Sequence, residues 1–269
     1  MDGTVVIRKA RSRADYDACV ALQREVWGLS DLDVTAALQL IATVHAGGLL
    51  LLAERGGEAV GFCYAFAGFV AGEAHLHSDM LAVRPAARAA GVGRRLKWAQ
   101  RDEALARGLR LVTWTFDPMR AKNARLNLRH LGATCREYRP DFYGRTSSTL
   151  HHGLATDRLL ARWELDTPRV CALAAGADPH ETARVVREAN EARRTIEIPA
   201  DWDAVAREAK AAVEWQARVR AQFEEAFAEG FEAVDFDVAP DGRGYYELSA
   251  PPVSAGRAGS DDHSLHDPA

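Results

Sequence analysis

Arg88-Ala89-Ala90-Gly91-Val92-Gly93-Arg94-Arg95 is the stretch on which the reading of this chain turns. An apolar run, Met80-Leu81-Ala82-Val83, precedes it, and a helix-like run over 96–107 follows. Two glycines two residues apart therefore fall where a strand becomes a helix. Glycine admits positive φ and lets a backbone come close to a ligand. The free amides of a helix start attract anions. Arg94 and Arg95 occupy the first helical turn, where a cation opposes the helix dipole. A polyanion such as a diphosphate docking there would give those cations a purpose.

Known nucleotide motifs do not fit. A dinucleotide fingerprint needs a third glycine where Leu96 stands, and no G-x-x-x-x-G-K-[ST] is present. What remains is R-x-x-G-x-G between "HLHSDMLAVRP" and "LRLVTWTFDP", followed by "NARLNLRHLGA" over 123–133. This ordered set resembles the acyl-CoA pyrophosphate loop and the next block of the GNAT N-acyltransferase superfamily, over roughly residues 4–166. It is most similar to a bacterial group of GNAT acetyltransferases with the pattern WTFDP…NA…N…LGA…Y…FYG, a group linked to amino-acid N-succinylation. The resemblance implies an α/β fold: a mixed, largely antiparallel sheet flanked by helices. It implies transfer of an acetyl or succinyl group from acetyl-CoA or succinyl-CoA to the amine of a small molecule or amino acid, directly in a ternary complex and without a metal.

Composition agrees with a globular protein. The 269 residues are 48% hydrophobic and 27% charged, with a formal net charge of −4. That charge speaks against a general nucleic-acid binder. The longest apolar run, Leu49-Leu50-Leu51-Leu52-Ala53, falls far short of a membrane span. The opening "MDGTVVIRKARSR" lacks an apolar signal core, so the expected location is the cytoplasm. Cys19, Cys63, Cys135 and Cys171 are scattered and read as reduced thiols, neither a disulfide framework nor a zinc site.

Periodicity and turn residues divide the chain. Residues 1–166 are expected to form the acyl-CoA-binding catalytic domain. Residues 167–250 are expected to form a C-terminal strand, long helix and hairpin packed on it, preceded by a linker at 168–178 and a helix at 180–194. The tail 251–269, rich in Ser, Gly, Asp and Pro, reads as disordered. Nothing in the sequence fixes the oligomeric state; a homodimer is compatible with it.

The resemblance assigns the backbone of Leu81, Ala82 and Val83 to the pantetheine arm and the thioester oxygen. It assigns Arg88, Ala89, Ala90, Gly91, Val92, Gly93 and Arg94 to the diphosphate. Asn123 and Asn127, four apart, are expected to share a helix face toward the cofactor or acceptor. For the base, a two-residue period puts His75, His77 and Asp79 on one strand face with Leu81 and Val83, and Leu76, Ser78 and Met80 on the other. His77 is the first choice because its free pKa suits neutral pH, and Asp79 the second. Many relatives place an acidic tyrosine four residues before the Leu-Gly step. That position here is Leu128, so Tyr143 is preferred as the general acid over Tyr138. The competing functional reading, favoured by Leu128, is a catalytically degenerate acyl-CoA-binding or sensing module.

Overall fold

The computed structural model describes residues 4–70, 72–148, 152–188 and 192–250. The expected tail at 251–269 lies outside the described residues. The first strand, β1 (Val6–Lys9), leads into α1 (Arg13–Trp27), which Ser12 and Asp15 start with a reciprocal capping box. Gly28, at φ 67°, ends α1. Next come α2 (Ala37–His45), β2 (Leu49–Arg55), β3 (Glu58–Val70) and β4 (Glu73–Val83). A 3-10 turn over Pro85–Ala90 joins β4 to α3 (Val92–Ala106), which crosses over to β5 (Leu111–Phe116). Then follow α4 (Ala121–Ala124), continued by a π turn over Arg125–His130, β6 (Thr134–Arg139) and β7 (Arg158–Glu164).

The remaining elements are α5 (Pro168–Ala174), α6 (Pro179–Glu188), β8 (Arg193–Ile198), α7 (Trp202–Val205), α8 (Ala209–Ala228), β9 (Glu232–Val238) and β10 (Gly244–Ser249). The expected linker at 168–178 is therefore mostly helix. Thr167 caps it through the Val170 amide and Pro168 opens it, so the proline reads as a helix start instead of a break.

The ten strands among the described residues form one sheet in the order β1-β2-β3-β4-β5-β7-β6-β9-β10-β8. Among the described pairs only β4 and β5 run parallel. The join between β6 and β9 is a single pairing, Cys135 with Ala233. Two cores flank the sheet. Leu49, Leu51, Ala53, Cys63 and Leu76 face α3, whereas Leu50, Leu52, Phe62, Tyr64, Met80 and Ala82 face α1 and α2. Strand β2 is buried on both sides, which explains its unbroken apolar run; each such leucine contributes about 1.5–3 kcal/mol.

Two irregularities of β4 position the site. Between Tyr64 and Phe66, β3 advances two residues while β4 advances three, from Met80 to His77. This bulge reverses the alternation of β4. Farther on, β4 pairs with β5 only at Leu76–Val112 and His77–Thr113. Beyond these pairs the two parallel strands part, and their C-terminal ends form an open fork.

Candidate active site

The bulge corrects the expected grouping of side chains on β4. Leu76 and Ser78 lie toward α3, and so do Leu81 and Val83, while Met80 and Ala82 lie with the α1–α2 core. Hence His75 and His77 do not share a face with Leu81 and Val83. The extra residue adds one step to the two-residue period, which strict alternation could not anticipate.

His77 is half-buried. Its Nδ1 stands 2.9 Å from Thr113 Oγ1, and its ring packs against Phe66 with centroids 5.1 Å apart. Burial, then the charges of His75 and Lys97, hold its pKa down at about 4. It is therefore neutral at physiological pH. His75, by contrast, is buried against the backbone of Gly68, with Nδ1 unpartnered. Asp79 sits at the bulge in a recess: its side chain keeps solvent contact, yet the surrounding protein raises its pKa.

Thr115 follows Thr113 on the same face of β5, and its Oγ1 lies 2.9 Å from the Tyr143 hydroxyl. His77, Thr113, Thr115 and Tyr143 thus form a row on the α1–α2 side of the fork. Tyr143 is exposed, and the Arg158 guanidinium stands 5.1 Å from its ring. The loop holding Tyr143 is tied down by Thr156, whose Oγ1 accepts from the Tyr143 amide at 2.9 Å. Tyr138 is different. It is buried, donates to Asp157 at 2.6 Å, stacks on Phe223, and has its pKa raised by burial and by that carboxylate. Leu128 is fully buried in the α3-side core.

The other side of the fork gathers the backbone candidates. Gly91 has φ 66° and caps α3 with no side-chain bond. Its own amide donates to Arg88 C=O at 3.3 Å, and its carbonyl accepts from the Arg95 amide. Val92, Gly93 and Arg94 hold the first three helical positions, where amides find no acceptor within the helix. A Cβ built on Gly93 would stand 3.7 Å from Leu81 Cδ2 and 3.8 Å from Val83 Cγ2, so the loop rests on the end of β4. The Arg88 side chain is turned back, donating from Nε to Val83 C=O at 3.1 Å. Ala89 and Ala90 complete the 3-10 turn.

Across the fork, Asn123 is exposed and Asn127 is buried, so they do not share the expected face; the π turn beginning at Arg125 rotates the helix between them. The same turn presents two residues that the sequence reading did not assign to the cofactor. Arg125 Nε and His130 Nδ1 are buried with no hydrogen-bond partner. Burial first, and then the charges of Arg94, Arg125, Arg129 and His180, lower the His130 pKa. Arg94 and Arg125 thus lie close enough to His130 to act on its charge, and Arg94 itself holds one of the open amides. Their spacing in sequence gave no hint of this, because two elements supply them.

Residues 15–132 match the family model described as "Acetyltransferase (GNAT) family". This stretch, less than half of the chain, is similar to that family. A crystal structure from Desulfovibrio desulfuricans assigned to the GNAT family is 19% identical, with TM-score 0.50, covering 60% of this chain and 99% of its own. That likeness bears on the fold. The ribosomal-protein-S18-alanine N-acetyltransferase of Escherichia coli is 18% identical, with TM-score 0.47, over 61% of this chain and 96% of its own. A Salmonella typhimurium structure assigned as an acetyltransferase, with its cofactor acetyl-CoA, is 21% identical, with TM-score 0.47, over 61% and 95%. No curated protein matches. Among the described residues no helix is long and apolar enough to cross a membrane.

Proposed function

We propose that this protein moves an acetyl or succinyl group from the CoA thioester to the amine of a small molecule or amino acid, by direct transfer in a ternary complex. One observation carries the reading. The amides of Val92, Gly93 and Arg94 have no acceptor within the helix, Gly93 lies against Leu81 and Val83 at the end of β4, and Arg94 and Arg125 lie near His130. A diphosphate fits there by charge and by donor geometry.

The pantetheine arm would run into the fork, where β4 beyond His77 has no ladder with β5 and can pair with an amide-bearing ligand instead. Amides of Leu81, Ala82 or Val83 would then receive the developing oxyanion. The acceptor amine would approach from the His77–Thr113–Thr115–Tyr143 row. As the C–N bond forms, the nitrogen becomes acidic, and neutral His77, or Asp79 with its raised pKa, takes its proton. As the C–S bond breaks, Tyr143 delivers a proton to sulfur, or the thiolate departs unprotonated. Arg158, beside Tyr143, would suit an acceptor carboxylate.

Leu128 in the core favours the second reading, an acyl-CoA sensor without turnover. Calorimetry with CoA, followed by thiol release from acetyl-CoA and succinyl-CoA across an amino-acid and amine panel, decides between them. Binding with release supports the enzyme; binding with no release for any pair supports the sensor; no binding removes both.

A further inference from the structure

Lys97 is a buried ammonium that this reading leaves unused. It lies on α3, is 2% exposed, and no carboxylate pairs with it among the described residues. Its three donors are nonetheless all engaged. Nζ donates to Ser78 Oγ at 3.1 Å and to Gln100 Oε1 at 2.6 Å, and stands 3.7 Å from the centre of the Trp114 ring. Trp163 lies behind, at 5.4 Å.

The positions of these partners matter. His77 and Thr113 are the last residues pairing β4 with β5. Ser78 and Trp114 are the next residues on each strand, the first ones beyond the ladder. One ammonium therefore touches both prongs where the fork divides. The bulge that opens β4 also begins at this level.

Burying an ammonium without a counter-ion is costly, and a methionine would fill the same space at less cost. The aromatic face of Trp114 offsets part of that cost. A charge retained at this location has a use if negative charge appears nearby during the reaction. An acyl thioester lodged in the fork supplies it, because its carbonyl oxygen becomes an oxyanion as the amine adds.

We propose that Lys97 is a positioning residue of the acyl-transfer centre, holding the β4–β5 fork apart at its apex through Ser78 and Trp114 and aiming a fixed positive charge at the thioester carbonyl. The inference rests on the reading that acyl-CoA enters the fork. Burial lowers the Lys97 pKa to about 8, so the ammonium is the main form at neutral pH. The titratable groups facing it are Cys63, reached through Ser78, and His77; burial raises the first and lowers the second. Both shifts move away from the range where Lys97 titrates.

The test needs no acceptor. Acetyl-CoA isotope-labelled at the thioester carbonyl is bound to the full chain, and its carbonyl band is read by difference infrared spectroscopy. The band should fall on binding to wild type. Lys97→Met should retain CoA affinity within about threefold while losing at least about half of that shift. In wild type the band should move back toward its free position between about pH 7 and about pH 9.5, and in Lys97→Met it should stay flat. An equal band in both proteins at equal occupancy overturns the proposal. Should Lys97→Met fail to fold, the wild-type titration decides alone, and an invariant band overturns it. Calorimetry of CoA on wild type separates the two readings. Binding with an unmoved carbonyl removes only the role of Lys97, whereas no binding removes the fork reading and this one with it.

Discussion

At the scale of single residues, His77 is the clearest case of environment overriding intrinsic chemistry. Free histidine titrates near neutrality, but here burial and two neighbouring cationic groups hold the ring neutral down to about pH 4. The unfolded chain takes up a proton on this ring near its ordinary value of 6.5, so between 6.5 and about 4 it binds more protons than the folded protein. Stability linked to His77 is thus complete above that window, declines as pH falls through it, and levels off below. Urea midpoints of wild type and His77→Gln should converge as pH drops from 6.5 to about 4; parallel curves would show that His77 is not desolvated. Tyr143 carries a different prediction. Tyr143→Phe should leave CoA affinity unchanged and lower kcat by about 10²-fold, measured by thiol release; an unchanged kcat removes it as the acid. Arg94→Glu should weaken CoA binding by at least about tenfold without lowering Tm, because Arg94 is exposed and supports no core contact.

At the scale of elements, the cofactor loop depends on one left-handed residue. Gly91 turns the chain from the 3-10 turn into α3 at φ 66°, and a Cβ there meets nothing within 4 Å. Gly91→Ala should therefore cost about 1 kcal/mol through backbone strain alone, with no steric clash; denaturant unfolding reads it directly, and a neutral result would mean the turn relaxes. Helix α3 was readable from sequence because glycine, apolar residues and a closing Gly108 mark both its ends. The π turn after α4 was not readable. One widened turn leaves no signature in residue type, yet it buries Asn127, exposes Asn123, and brings His130 beside Arg94. The bulge in β4 escaped for the same reason.

At the scale of the whole molecule, the segment beyond β7 is joined to the rest by ion pairs as well as by strand pairing. Arg129, on the π turn, forms a bidentate pair with Asp235 of β9, at 2.6 and 2.7 Å, and both are fully buried. Arg169 of α5 approaches the same carboxylate at 3.6 Å, and His180 of α6 contacts Arg129 at 2.8 Å. Asp157 makes a second joint, accepting from Tyr138 and from Arg220 of α8. Asp235→Ala removes the buried bidentate partner of Arg129, leaving it only Asp237 at 3.3 Å, and should destabilise the protein by about 3–5 kcal/mol in urea unfolding; a loss under about 1 kcal/mol would mean that Asp237 or water replaces the carboxylate. The amino-acid sequence by itself determined most of the order of strands and helices, α5 excepted, and the R-x-x-G-x-G turn at the start of α3, because these follow from local periodicity and glycine chemistry. Only the tertiary structure decided which side chains meet. It turned His77 away from Leu81 and Val83, set Lys97 at the apex of the fork, and placed Asp235 against Arg129, 106 residues away. Such encounters depend on bulges, widened turns and sheet order, and a one-dimensional pattern of residue types does not encode their geometry.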